Sequence, residues 1–148
     1  MNAMGGEDGY IFACFDSTVD RDWILYLLYH EFGHCFVNPL AERHSTLVQR
    51  YEPLYLPLGE AMRPWGYTNW VTALNEHVLR AQNCHLRRLL VGDEAAETQL
   101  GEEETRGFRY VRALEAKLHE YLAQRLRYPS LDDFYPDLLA ALDSFLSN

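Results

Sequence analysis

The stretch Asp22-Trp23-Ile24-Leu25-Tyr26-Leu27-Leu28-Tyr29, almost wholly apolar, runs directly into His30-Glu31-Phe32-Gly33-His34, and no other segment restricts the chain as much. The spacing predicts a helix over 18–37, with Ser17, Thr18 and Asp20 as N-cap candidates and Asn38-Pro39 as its stop. A helix apolar on most sides is expected to lie buried. Four residues apart, His30 and His34 share one face of it, with Glu31 alongside. Sinking these polar groups into a core is costly unless something coordinates them. Gly33 lowers helix propensity by roughly 1 kcal/mol relative to alanine, so either the position drifted neutrally or another backbone or a substrate passes close.

Two imidazoles at this spacing can point their nitrogens at one divalent ion, and the intervening glutamate can take a proton from a water held there. Zinc favours such donors and, in catalytic sites, takes three protein ligands and leaves the fourth position open. The bland alternative is a surface helix with incidental histidines. For the third ligand the chain offers Glu42, His44, Glu60, Glu76, His77 and His85. Leu40 occupies the position six after His34, which excludes the metzincin arrangement of a third histidine there. The stronger segment is Trp70 to Ala81, whose apolar residues at 70, 71, 74, 78 and 79 follow helical spacing with Glu76 beside the stripe. An inward Glu76 would complete a His, His, Glu set. An exposed Glu76–Arg80 ion pair, worth about 0.3–0.5 kcal/mol, is the competing reading.

These residues resemble the gluzincin group of zinc metallopeptidases, in which an HExxH helix supplies two histidines and a later helix a glutamate. More narrowly, HEFGHCFVNPL over 30–40 and GYTNWVTALNEHVLRA over 66–81 are similar to a bacterial HExxH-bearing family known only as a domain of unknown function. The similarity extends more weakly through Gly107-Phe108-Arg109-Tyr110 and Tyr128 to Pro136. The resemblance implies His30, His34 and Glu76 as zinc ligands, Glu31 as general base, a peptide or protein substrate, and a secreted or cell-envelope setting. A tyrosine or histidine commonly stabilises the oxyanion in such enzymes, which leaves Tyr110, Tyr67 and His77 as contenders. The chain departs from the pattern in two ways. Glu76 follows His34 by 42 positions, a longer gap than in the best-known gluzincins, and few residues precede the motif. Either the cleft is reduced or the sequence is the C-terminal part of a longer protein, and a zinc-stabilised binding module without turnover is the rival reading. A metal-free helical interaction domain stands third.

Elsewhere, Tyr10-Ile11-Phe12-Ala13-Cys14-Phe15 reads as a short strand, while residues 1–8 are Gly-rich and expected to be disordered. A short helix is expected within 40–51, and Pro53, Pro57 and Pro64 then break the chain into turns. The aromatic group Tyr51, Tyr55, Trp65, Tyr67 and Trp70 serves either core or a pocket. A second long helix should run over 68–91, with Arg87 and Arg88 suiting its dipole and Gly92 capping it. The acidic stretch 92–107 reads as a solvated loop or frayed turn, with metal binding as its minor alternative. A third helix follows over 103–127, then a turn capped by Ser130 and Asp133, then a last helix opening at Pro136 and reaching Phe145.

The expected fold is therefore mainly α, a single zincin-like helical domain over residues 1–148 with a short N-terminal strand or small sheet. The 48% hydrophobic content suffices for one core. No apolar run approaches the roughly 20 residues of a membrane span, and no secretory leader is visible. A net charge of -9 argues against sequence-independent nucleic-acid binding. Cys14, Cys35 and Cys84 show no metal or redox spacing and read as small buried hydrophobes. Oligomeric state is not written in the sequence.

Overall fold

A computed structural model of the chain describes residues 21–146, and these form a helical domain in which no strand occurs. The long helices are α1 (Arg21–Arg43) and α4 (Trp70–Leu90). Between them lie α2 (Ser45–Arg50), a 3-10 segment Glu52–Leu58, α3 (Gly59–Met62) and a 3-10 turn Arg63–Trp65. After α4 come α5 (Asp93–Thr105), α6 (Val111–Ala123), α7 (Leu131–Ala140) and α8 (Asp143–Leu146). The expected strand over 10–15 and the N-cap candidates of the first helix lie outside the described residues.

Helix α4 is the axis of the domain, with α1, α5 and α6 packed around it. Asn69 is its N-cap, so the helix starts at Trp70 rather than at the expected 68, and the Asn69 side chain accepts a hydrogen bond from the Thr72 amide. From Ala73 to Ala81 every residue is buried, so Asn75, Glu76, His77 and Arg80 are largely withdrawn from bulk water. The aromatic group between α1 and α4 divides: Tyr51 and Trp70 are core, the Trp70 indole donating to the Val48 carbonyl, whereas Trp65 is exposed.

Several expectations are corrected. Helix α1 does not stop at Asn38-Pro39 but continues to Arg43. An interior proline costs about 3 kcal/mol, but Val37 and Leu40, both buried, contribute about 1.5–3 kcal/mol each and hold the turn on either side of it. Nor is α1 buried on most sides. Trp23, Leu25, Tyr29, Phe32 and Phe36 are exposed, because the described residues cover only the face of α1 that meets α4. The acidic stretch after Gly92 is a helix, α5, whose inner stripe is Ala96, Gln99, Leu100 and Glu103. Half of that stripe is polar, which hides it from a hydrophobic-periodicity reading.

The helix expected over 103–127 is broken in two at Gly107, which has φ +101°. A Cβ there would sit 2.6 Å from the Ala61 Cβ, so this turn requires glycine for its handedness and for its closeness to α3. Leu122 and Leu126 follow the helical apolar spacing of this segment and yet are exposed. Ser130 and Asp133 form a reciprocal capping box, but it opens α7 itself, with Pro136 inside that helix rather than at its start. Arg88, expected to suit the helix dipole, also pairs with Glu115, Asp93 and Glu97. Of the cysteines, Cys84 is buried as expected, Cys35 is exposed, and Cys14 lies outside the described residues.

Candidate metal centre

The side of α1 that carries His30 and His34 faces Glu76 on α4. What lets the two helices approach is Gly33, where an added Cβ would lie 2.4 Å from Leu79 Cδ2. The close approach anticipated at this glycine is thus the neighbouring helix.

His30 Nε2 is 3.4 Å from Glu76 Oε2, and His34 Nε2 is 3.3 Å from Glu76 Oε1. The three side chains can each offer one ligand atom with all of these within 4.8 Å of one another, and no other such group of three occurs among the described residues. Charge-assisted hydrogen bonds are normally about 2.7–2.9 Å, so these contacts are long for direct pairing. Donors about 2.05 Å from a common zinc would stand about 3.3 Å apart, and each imidazole has that spacing to Glu76, His30 to Oε2 and His34 to Oε1. Glu76 Oε2 is buried and makes no hydrogen bond, its neighbours His30 Nε2 and Arg80 Nε both standing off at 3.4 Å, which leaves it able to accept a bound cation. Two nitrogens and one carboxylate oxygen are also the donor chemistry zinc takes in hydrolytic sites. The residues therefore fit the metal.

Each imidazole is held from behind. His34 Nδ1 lies 3.3 Å from Asn38 Oδ1, which can accept from an Nδ1–H and fix the ring with Nε2 towards Glu76. His30 Nδ1 lies 3.4 Å from the Asn83 amide, whose two ends can exchange to offer its oxygen. Burial alone would raise the Glu76 carboxyl, but the His30 and His34 imidazoles and the Arg80 guanidinium outweigh it and hold it well below the usual carboxylate range. Burial pushes His34 down, yet its contacts with Glu76 and Asn38 prevail and raise it.

The remaining site residues separate into two groups. Glu31 is half-buried next to the ligand face and acts on His34 through its charge. Tyr67 is also at the cluster, its hydroxyl in reach of Glu76 and Arg80; burial, then Glu76, pushes it up to about 12, so it stays a hydrogen-bond donor. Tyr110 and His77 are elsewhere. The Tyr110 hydroxyl donates to the Leu54 carbonyl at 2.9 Å. His77 is fully buried against the rings of Phe108 and Tyr110, its Nδ1–H donating to the Ala73 carbonyl at 2.7 Å. Burial lowers its pKa to about 4, so it is a neutral core histidine. Among the other ligand candidates, His44 pairs with Asp132 and His85 with Glu115.

The Glu76–Arg80 pair, expected only as an exposed alternative, is present but buried. Arg80, one turn beyond Glu76, is buried, with Nε 3.4 Å from Glu76 Oε2 and Nη1 2.8 Å from Glu103 Oε2. Glu103 had been grouped with the solvated acids of 92–107, yet it is 1% exposed. Its signal was its position on the inner stripe of α5, legible only once that segment is recognised as a helix.

No curated protein and no solved structure matches this chain. A family match covers residues 10–141, which takes in the HExxH segment, Glu76 and Glu103. The chain belongs to the family described as Domain of unknown function (DUF4932).

Proposed function

We propose that the domain is a zinc-dependent peptidase of gluzincin type, with His30, His34 and Glu76 as ligands. The observation that carries this reading is the convergence of His30, His34 and Glu76 from α1 and α4, with ligand atoms all within 4.8 Å of one another and each imidazole 3.3–3.4 Å from the buried Glu76 carboxylate. When bound, zinc would supply a Lewis acid and lower the pKa of a coordinated water towards 7. Glu31, one residue past His30, takes a proton from the attacking water on its carboxylate. The oxygen adds to the peptide carbonyl carbon, and the developing oxyanion is met by the Tyr67 hydroxyl, which is protonated at neutral pH. As the C–N bond breaks, Glu31 returns the proton to the leaving amine. Asn38 and Asn83 keep the imidazoles turned the right way.

Elemental analysis and a broad peptide-library assay on two variants test the assignment. Glu31→Gln should retain zinc at wild-type stoichiometry and lose cleavage, whereas Glu76→Ala should lose zinc. Equal zinc retention in both would contradict the ligand set. Zinc bound by the wild type with no cleavage of any library member would replace the peptidase with a metal-stabilised binding module.

A further inference from the structure

Behind Glu76 the charges continue inwards. Arg80 is shared between two buried carboxylates on different helices, Glu76 of α4 and Glu103 of α5. Its guanidinium lies over the Phe108 ring, 3.9 Å from the centroid, which fixes its plane. Glu103 in turn accepts hydrogen bonds from the Tyr26 hydroxyl of α1 at 3.2 Å and from Arg106 Nη1 at 3.2 Å. Its hydrogen bonds thus tie α1 and α4 to α5.

A staple between α4 and α5 would need only one arginine and one glutamate. Here the arginine is aimed so that its Nη1 is committed to Glu103 while its Nε remains buried, without a hydrogen bond, beside Glu76 Oε2. Lysine would replace these two separated donor positions with one compact ammonium on a rotatable stem. We propose that Arg80 is a positioning residue for the metal ligand Glu76, and that Glu103 acts on the metal through Arg80. This rests on the metal-centre reading above. Arg80 restrains Oε2 from behind and limits how Glu76 can turn, while Glu103 holds Arg80 and balances its charge so that the cation site is not left facing an unmatched guanidinium.

Zinc affinity, measured by competition with a chromophoric chelator, tests this on the full chain alongside the visible spectrum of the cobalt(II)-substituted protein. Arg80→Lys keeps the charge and removes the fork, and Glu103→Gln keeps the shape and removes the charge. Each should weaken zinc binding about 10–100-fold and alter the cobalt spectrum, as loss of an outer partner of a ligand does. Because Glu103 works through Arg80, the double variant should bind no more weakly than Arg80→Lys alone. Glu102→Gln, a charge change of the same size on an exposed neighbour, should leave affinity unchanged. Melting of the metal-free variants identifies those that fold, and Glu103→Gln carries the test should Arg80→Lys fail to. Wild-type affinity and spectrum in both variants would overturn the proposal while leaving the metal centre standing; a wild-type protein that takes up no zinc would remove the metal centre itself. Fully additive losses would show Glu103 acting independently of Arg80 and overturn its assigned role.

Discussion

His77 and Glu76 are neighbours in sequence, yet one packs into the core and the other joins the candidate metal cluster, because successive residues of a helix point about 100° apart. Sequence alone could not separate them, since both are polar residues set in an apolar stripe. What distinguishes them is what each faces: aromatic rings for His77 and two imidazoles for Glu76. Burial of His77 has a consequence for acid stability. Its folded pKa, about 4, lies below the ordinary value of 6.5, so below pH 6.5 the unfolded chain binds a proton that the folded one refuses. Stability is therefore lost as pH falls from 6.5 towards 4 and the loss levels off below that, with a total on the order of 3 kcal/mol. Burial moves His77 in this direction, whereas the raised pKa of His34 works the opposite way. Urea denaturation of the metal-free protein at pH 7 and pH 4, compared with His77→Leu, isolates the effect. The variant should lose less stability on acidification, and an identical loss would show that His77 is not held neutral.

At the scale of elements, α1 and α4 were legible because each carries a long apolar pattern, and the capping of α4 by Asn69 and of α7 by Ser130 obeys local hydrogen-bond chemistry. Helix α5 was not legible, because Gln99 and Glu103 occupy positions where a sequence reader expects apolar side chains, and the arginine that makes Glu103 tolerable in a core is 23 residues away. The break at Gly107 was missed for a similar reason: its necessity comes from Ala61 and Met62, distant in sequence. Gly33 offers a direct test of how the α1–α4 crossing sets the site. Alanine there would gain roughly 1 kcal/mol in helix propensity but force the fully packed Leu79 aside, an overpacking cost of about 1–3 kcal/mol. Gly33→Ala should therefore change stability only modestly while weakening zinc binding, because any separation of the helices moves both histidines away from Glu76. Adding Leu79→Ala, which removes the obstructing methyl groups, should restore zinc affinity. Failure of the second substitution to rescue binding would mean that the crossing distance does not control the centre.

Taken whole, the described domain is a core built around α4, with α1 laid across one side and much of its outer face, including Trp23, Phe32 and Phe36, exposed. The sequence reading placed that aromatic run in the interior because periodicity counts apolar residues and cannot know how many neighbours a helix has. It located the motif, the second helix and the mainly α class from local pattern. It could only pose the question of convergence, since the 42 residues from His34 to Glu76 include several short helices and 3-10 turns whose path no spacing rule fixes. No helix among the described residues is long and apolar enough to cross a membrane. The central claim is that this packing gathers His30, His34 and Glu76 around one cation, and anomalous diffraction at the zinc edge on crystals of the zinc-loaded protein tests it most directly. The account predicts a single strong peak about 2.0–2.2 Å from Nε2 of both histidines and from a Glu76 carboxylate oxygen. An anomalous map with no peak there, or with Glu76 turned away from an ion held by other residues, would contradict it.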